Sequence, residues 1–160
     1  MNQNEILVTG GSGMVGHALK RVIPEAIFVS SKDYDLRSHF EAEIMFATHA
    51  PKYVIHLAAK VGGIKANMEK LGDFYRDNAL INTNVLESAR RFRVRKVVSL
   101  LSTCIYPNEV IYPLTEDQIH NGPPHQSNYA YAYAKRMLDI QSRAYREQYG
   151  CNFVTAVPNN

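Results

Sequence analysis

Short runs of apolar, often β-branched residues recur along the chain, separated by longer stretches whose apolar positions follow a helical period. The runs are nearly continuously apolar, as expected of parallel strands covered on both faces of a sheet. They predict strands at residues 5–9, 26–30, 53–58, 96–102 and 152–157. The helical patterns between them predict helices at roughly 14–23, 38–49, 73–93 and 130–149.

This alternation of strands and helices predicts an α/β fold with a doubly wound parallel sheet, because each connection is long enough for a right-handed crossover. We expect about five strands in the order 3-2-1-4-5. No repeat, low-complexity segment or linker interrupts the pattern. Residues 1–160 are therefore predicted to form one domain, large enough to bury a core.

The longest irregular segment, 103–128, is rich in proline and follows the fourth predicted strand. A loop of this length inside a compact domain is usually functional. In open parallel sheets, ligands bind at the carboxyl ends of the strands, where this loop begins. The sequence therefore predicts the functional site at this edge of the sheet.

The composition argues against several partners. The chain carries 18 Lys plus Arg against 15 Asp plus Glu, a formal net charge of +3, which gives no reason to expect nucleic-acid binding. No apolar run approaches the roughly 20 residues of a membrane span, and the start MNQNEILV lacks a signal-peptide pattern, so we expect a cytoplasmic protein. Cys104 and Cys151 are too few for a disulfide framework and should be reduced.

The segment TGGSGMVG, residues 9–16, directly follows the first predicted strand and opens the first helix. Gly10 can turn the chain, Gly13 lets backbone amides approach a pyrophosphate, and Gly16 lets the helix pack closely on the strand. This arrangement predicts a dinucleotide site. Its other predicted contacts in the turn are Gly11, Ser12, Met14 and Val15.

The residues after the second predicted strand should distinguish NADP from NAD. A carboxylate there accepts from the free 2'-hydroxyl of NAD, whereas VSSKDYDL places Ser30, Ser31 and Lys32 first. This favours NADP(H), with contacts from Lys32, Asp35 and Leu36. Lys32 could equally be a plain surface lysine. Asp35 could face the adenine or cap the following helix.

Three tyrosines alternate in YAYAYAKRM, residues 129–137. Because a helix turns about 100° per residue, Tyr131 shares a face with Lys135, while Tyr129 and Tyr133 lie away from it. A nearby ammonium favours phenolate, so this pair predicts a tyrosine that acts as general acid or base. Such pairs also occur on helices by chance, and the glycine turn upstream is what favours the catalytic interpretation.

Together, TGGSGMVG, HLAAKVGG at 56–63, Ser102 after the fourth strand and YAYAK at 131–135 resemble the extended short-chain dehydrogenase/reductases. The resemblance implies a Rossmann-like, NADP-binding fold. It implies that Ser102 hydrogen-bonds the reacting oxygen and that Tyr131 passes the proton. Lys135 would hold the nicotinamide ribose and lower the pKa of the tyrosine.

The same resemblance implies further cofactor contacts along the chain. They are Leu57, Ala58, Ala59, Asn78, Leu100, Pro158 and Asn160, with Asn78 supporting the site. For His56, at the end of the third strand, we prefer a structural role.

The motifs LLSTCIYP, IHNGPPH and SRAYREQYGCNF narrow the resemblance to family members that use NADPH to epimerise and reduce GDP-4-keto-6-deoxy-mannose. Hydrogens beside a ketone become removable when donors such as Ser102 and Tyr131 hold the developing enolate oxygen. Cys104 would then exchange protons at those carbons. The alternative is a buried structural cysteine, which is the role we expect for Cys151.

Members of this family continue for about as long again, with a domain for the GDP-sugar substrate, and form homodimers. The resemblance implies dimer contacts near the helices predicted at 73–93 and 130–149. This chain is therefore expected to be the cofactor domain without the sugar-nucleotide domain. The alternatives are an NADP-binding module without turnover, or an NAD-dependent 4-epimerase or 4,6-dehydratase of sugar nucleotides.

Overall fold

The computed structural model describes residues 2–158 and contains one sheet in that range. Its strands are β1 (Ile6–Thr9), β2 (Ile27–Val29), β3 (Tyr53–His56), β4 (Lys96–Leu100) and β5 (Phe153–Ala156). All neighbouring strands pair in parallel. The predicted doubly wound α/β fold with five strands is confirmed.

The strand order is 2-1-3-4-5, which corrects the expected 3-2-1-4-5. The expected order requires a third strand outside β2. Instead, the chain passes from β2 through residues 30–38 into a single helix and returns on the other side of β1, where Leu7 pairs with Val54. The order therefore reverses between β1 and β3, and a crevice at their carboxyl ends is where such sheets bind ligands.

The predicted helices are present as α1 (Met14–Val22), α2 (His39–His49), α4 (Leu71–Arg91) and α5 (Tyr129–Tyr149). A short helix, α3 (Ile64–Glu69), was not predicted. Ser38 begins α2 by accepting a hydrogen bond from the Glu41 amide, and Gly150 ends α5 in the left-handed conformation.

The two faces of the sheet pack against different helices. Leu7 of β1 joins the large core cluster with Phe46 of α2 and Leu138 of α5, whereas Ile6 and Val8 face the α1 side. This follows from the period of two along a strand. Within residues 2–158, no helix is both long and apolar enough to cross a bilayer.

Candidate active site

A cleft of about 790 Å³ lies at the carboxyl ends of β1, β3 and β4. Most of the sequence-predicted site residues line it: Gly10, Ser12, Gly13, Met14, Val15, Gly16, Asp35, Leu36, Leu57, Ala58, Ala59, Leu100, Ser102, Tyr131, Lys135 and Pro158. Gly11, Lys32, Asn78 and Cys104 are not part of this lining. The predicted contact Asn160 lies outside the described residues.

The glycine turn forms one wall of the cleft, and its shape requires glycine. Gly10 has a φ of +72°, and a Cβ there would lie 2.8 Å from the Ala58 amide nitrogen. A Cβ on Gly16 would lie 2.5 Å from the carbonyl oxygen of Gly11. The turn leads into α1, whose first amides have no side-chain cap. This helix start can therefore receive phosphate oxygens.

The loop after β2 places Arg37 in the cleft, and not the predicted Lys32. Ser31 lines the cleft, but Lys32 is exposed outside the lining. Arg37 lines it instead and donates to both carboxylate oxygens of Asp35, with Nη2 to Oδ2 at 2.7 Å. Ser38, and not Asp35, caps α2, so the capping alternative for Asp35 is wrong.

A cluster of charges that sequence reasoning missed lies beside this loop. The Asp77 carboxylate is 2% exposed and contacts Lys60 Nζ at 2.7 Å, Arg76 Nη2 at 2.8 Å and Arg37 Nη1 at 3.5 Å. Hydrogen bonding from Lys60 holds the pKa of Asp77 below its usual range. Lys60 lies within the motif HLAAKVGG, but nothing local connects it to Asp77, 17 residues away.

Asn78 supports the cleft from behind. Its buried side chain accepts from the Lys60 amide at 3.0 Å and donates to the carbonyl oxygens of Lys60 and Phe74. These bonds hold the backbone that follows β3, where Ala58 and Ala59 line the cleft. Asn78 thus positions the cleft wall without being part of it.

Ser102, Tyr131 and Lys135 line the same end of the cleft. Tyr129 and Tyr133 line a second cavity of about 500 Å³ instead. The helical period therefore separated the three tyrosines correctly, because residues two apart lie on opposite sides of α5.

The electrostatics of Tyr131 and Lys135 differ from the expectation. Burial raises the pKa of Tyr131 to about 12, with a contribution from Cys104. Burial lowers the pKa of Lys135 to about 8, and its ammonium donates to the Leu100 carbonyl oxygen at 2.9 Å. The prediction that Lys135 lowers the pKa of Tyr131 is wrong, since burial and the neighbouring Cys104 both raise it. Tyr131 is therefore protonated at neutral pH.

Cys104 lies in the turn that follows Ser102, partly buried. Burial raises the pKa of its thiol, while hydrogen bonding with Ser102 and the positive charges of Lys135 and Arg136 act in the opposite direction. The thiol is thus electrostatically coupled to both Tyr131 and Lys135 although it is outside the cleft lining. These residues form one group at the end of the cleft.

Comparison with known proteins agrees with this arrangement. The model of the NAD dependent epimerase/dehydratase family matches residues 6–160. The chain belongs to this family. Among its relatives, GDP-L-fucose synthase of Dictyostelium discoideum is 47% identical and probable GDP-L-fucose synthase of Drosophila melanogaster is 48% identical. These matches cover 99% and 98% of this chain, and 52% and 51% of the relatives.

A solved structure also superimposes on the chain. The GDP-L-fucose synthetase from Naegleria fowleri bound to NADP gives a TM-score of 0.89 at 44% identity, covering 97% of this chain and 53% of that one. The chain is therefore a GDP-L-fucose synthase homologue that spans about half the length of the relatives it matches.

His56 has the structural role expected of it. Its fully buried ring bonds Thr9 Oγ1 at 2.8 Å through Nδ1 and Asn82 Oδ1 at 3.1 Å through Nε2. Because the Asn82 amide nitrogen donates to the Ala134 carbonyl oxygen, its Oδ1 accepts, so Nε2 carries the ring proton. This chain of bonds links β1, next to the glycine turn, to α5, next to Lys135.

Replacing Lys135 by Met should stabilise the fold at pH 7. The folded-state pKa of about 8, against an ordinary value of 10.5, means that burying the charged ammonium costs about 3 kcal/mol below pH 8. Loss of the bond to Leu100 costs about 1 kcal/mol, so we expect a net gain of about 2 kcal/mol.

The gain should shrink as the pH rises from about 8 to about 10, because only the unfolded wild type then still binds the proton. Urea unfolding of wild type and K135M between about pH 8 and about pH 10 measures this change in the difference between their free energies of unfolding. Measurements stop near pH 10, since ionisation of Tyr131 in the unfolded state destabilises the fold above that. Lys65→Met, at a side chain 89% exposed, should show no such pH dependence. A constant difference between K135M and wild type would contradict the prediction.

Proposed function

We propose that this chain is the NADPH-binding half of a GDP-L-fucose synthase-type enzyme, which epimerises C3 and C5 of GDP-4-keto-6-deoxy-mannose and reduces its 4-ketone. The observation that carries the proposal is the placement of Ser102, Tyr131 and Lys135, with Cys104 beside them, at one end of a cleft whose other wall is the glycine turn. The names of the relatives support the substrate class.

The residues present fit NADP(H). The uncapped start of α1 suits the pyrophosphate, and the turn has no Cβ that would fill the space beside Ala58. Arg37 and Lys60 place positive charge along the lining, although both are paired with carboxylates. The relative from Naegleria fowleri holds NADP in the matching fold, which supports NADP over NAD. When bound, NADPH supplies the hydride that reduces the ketone.

In the reduction, Tyr131 donates its phenolic proton to the ketone oxygen as that oxygen gains negative charge. The raised pKa keeps the phenol protonated at neutral pH, so it can donate, although it is a weaker acid than an unshifted tyrosine. Ser102 donates a second hydrogen bond to the same oxygen. Lys135, held on Leu100, fixes the end of the cleft where the nicotinamide ribose would lie.

In the epimerisation, Cys104 acts as the base in its thiolate form and takes a proton from the carbon beside the ketone. The electron pair of the broken C–H bond moves onto the ketone oxygen as an enolate, which Ser102 and Tyr131 stabilise. A proton must then return to the opposite face of that carbon.

The homodimer also stays a prediction. Leu80 of α4 and Met137 and Ile140 of α5 are exposed, and the two helices pack against each other. Exposed apolar side chains on this helix pair support a second copy as the partner.

The proposal is tested by incubating the chain with NADPH and GDP-4-keto-6-deoxy-mannose in deuterated water. We expect loss of NADPH absorbance together with deuterium uptake into the sugar. Tyr131→Phe should slow reduction about 100-fold or more without weakening NADPH binding. Cys104→Ser should remove deuterium uptake. Tyr133→Phe, on the opposite side of α5, is the matched control and should leave both steps intact.

The outcomes separate the proposed enzyme from its alternatives. NADPH binding without oxidation or deuterium uptake would make the chain a binding module. Tightly retained NAD, with no dependence on Cys104, would indicate a 4-epimerase or dehydratase. Substrate is supplied at millimolar concentration.

A further inference from the structure

Arg136 is a buried arginine without a carboxylate partner among the residues that the structure describes. It is 4% exposed and follows Lys135 on α5. Its Nε donates to the Ile105 carbonyl oxygen at 2.6 Å, and its Nη1 donates to the Gly122 carbonyl oxygen at 2.7 Å. The buried Nη2 has no hydrogen-bond partner. Burying this charge is costly, which calls for a functional reason.

The two carbonyl groups belong to opposite arms of the long loop 103–128. The arms also meet at an antiparallel bridge between Pro107 and Pro124, and the Asn108 amide donates to the Pro123 carbonyl oxygen at 2.9 Å. Arg136 therefore fastens both arms of the loop to the helix that carries Tyr131 and Lys135. Since Ile105 directly follows Cys104, this contact sets where the thiol lies relative to the cleft.

The guanidinium also adds positive charge close to the thiol. The groups facing Cys104 are Ser102 from its own turn and Tyr131, Lys135 and Arg136 from α5. Lys135 loses its proton near pH 8, below the range in which the raised pKa of Cys104 lies. Burial lowers the pKa of Arg136 below its ordinary value, but a guanidinium keeps its proton in proteins. Arg136 is thus the cation that still favours the thiolate when Cys104 titrates.

We propose that Arg136 is the positioning residue of Cys104: it fastens the loop that holds the thiol and supplies the charge that favours the thiolate. This proposal rests on the proposed function in one respect, the catalytic role of Cys104. The geometry itself requires neither cofactor nor substrate, so it can be tested separately.

The test measures alkylation of each cysteine by iodoacetamide from about pH 6.5 to about pH 10, using mass spectrometry to read Cys104 and Cys151 separately. A midpoint and a limiting rate are fitted to each pH profile. In Arg136→Met, the midpoint for Cys104 should move up by about one pH unit, which is about tenfold less thiolate below the midpoint. Its limiting rate at high pH should rise several-fold, because the loop is released. Cys151 serves as the internal reference and should not change.

Arg136→Lys is the conservative variant, because a lysine lacks the planar fork that donates from two separate nitrogens. We expect a raised limiting rate as in R136M. The midpoint should also move up, because burial lowers the pKa of a lysine in this position as it does for Lys135. Arg146→Met is the matched control: Arg146 lies on the same helix and donates to the Phe153 carbonyl oxygen at 2.6 Å, away from Cys104. Circular dichroism and urea unfolding check that each variant is folded.

The proposal is overturned if Cys104 behaves in R136M and R136K as it does in R146M. If R136M does not fold, R136K decides alone, and an unchanged limiting rate overturns the proposal. NADPH binding by wild type is measured in parallel. If NADPH does not bind while the alkylation changes occur as expected, the proposed function fails and the role of Arg136 stands.

Discussion

Acidification from about pH 6.5 to about pH 3 should lower the free energy of unfolding by roughly 5 kcal/mol through the imidazole of His56 alone. Burial lowers the pKa of His56 from 6.5 to about 3. Between these two pH values His56 is protonated in the unfolded chain but not in the folded chain. The free energy of unfolding therefore falls as the pH falls. A second ring proton on Nδ1 would also force the Thr9 hydroxyl, which donates to that nitrogen, to turn and accept instead.

The measurement compares urea unfolding of wild type and His56→Gln at about pH 7 and about pH 4. H56Q should be less stable at pH 7, since it loses part of the hydrogen-bonded chain, but should lose roughly 3 kcal/mol less than wild type on acidification. His39→Gln, at an exposed histidine of α2, is the control and should keep the acid sensitivity of wild type. Equal losses in H56Q and wild type would show that His56 is not the acid-sensitive group.

Gly16→Ala should lower both the stability of the chain and its affinity for NADPH. The added Cβ would lie 2.5 Å from the carbonyl oxygen of Gly11 and 2.7 Å from its carbonyl carbon, and neither backbone atom can rotate away. Helix α1 must therefore move relative to the turn. Overpacking of this kind costs about 3 kcal/mol. Since the same movement displaces the amides that would meet the pyrophosphate, we expect NADPH affinity to fall at least about tenfold.

Urea unfolding and a fluorescence titration with NADPH measure the two effects of G16A. Gly72→Ala is the matched control, because a Cβ at Gly72 of α4 meets no atom within 4 Å. G72A should bind NADPH like wild type and be unchanged or up to about 1 kcal/mol more stable. If G16A retained the stability and affinity of G72A, the close contact between Gly16 and Gly11 would not be needed for either property.

The local patterns of the chain were sufficient for its elements and for much of the candidate site. Nearly continuous apolar runs predict each strand of the sheet, since the period along the chain shows which residues must leave water. The glycine spacing at 10–16 predicts the turn that lines the cleft. The 100° rotation per residue, about one quarter of a helical turn, predicts that Tyr131 and Lys135 face the cleft together while Tyr133 does not.

Only the tertiary structure decided which residues far apart in the sequence are in contact and how burial shifts their pKa values. The strand order depends on where β3 joins the sheet, beside β2 or beside β1. The apolar pattern of β3 is compatible with both positions. The contacts of Asp77 with Lys60 and of Arg136 with Gly122 join segments with no shared local pattern. The pKa of Tyr131 rises because the fold buries its side chain, and burial depends on all the surrounding atoms. The four-residue spacing predicts only that Lys135 is a neighbour on the helix.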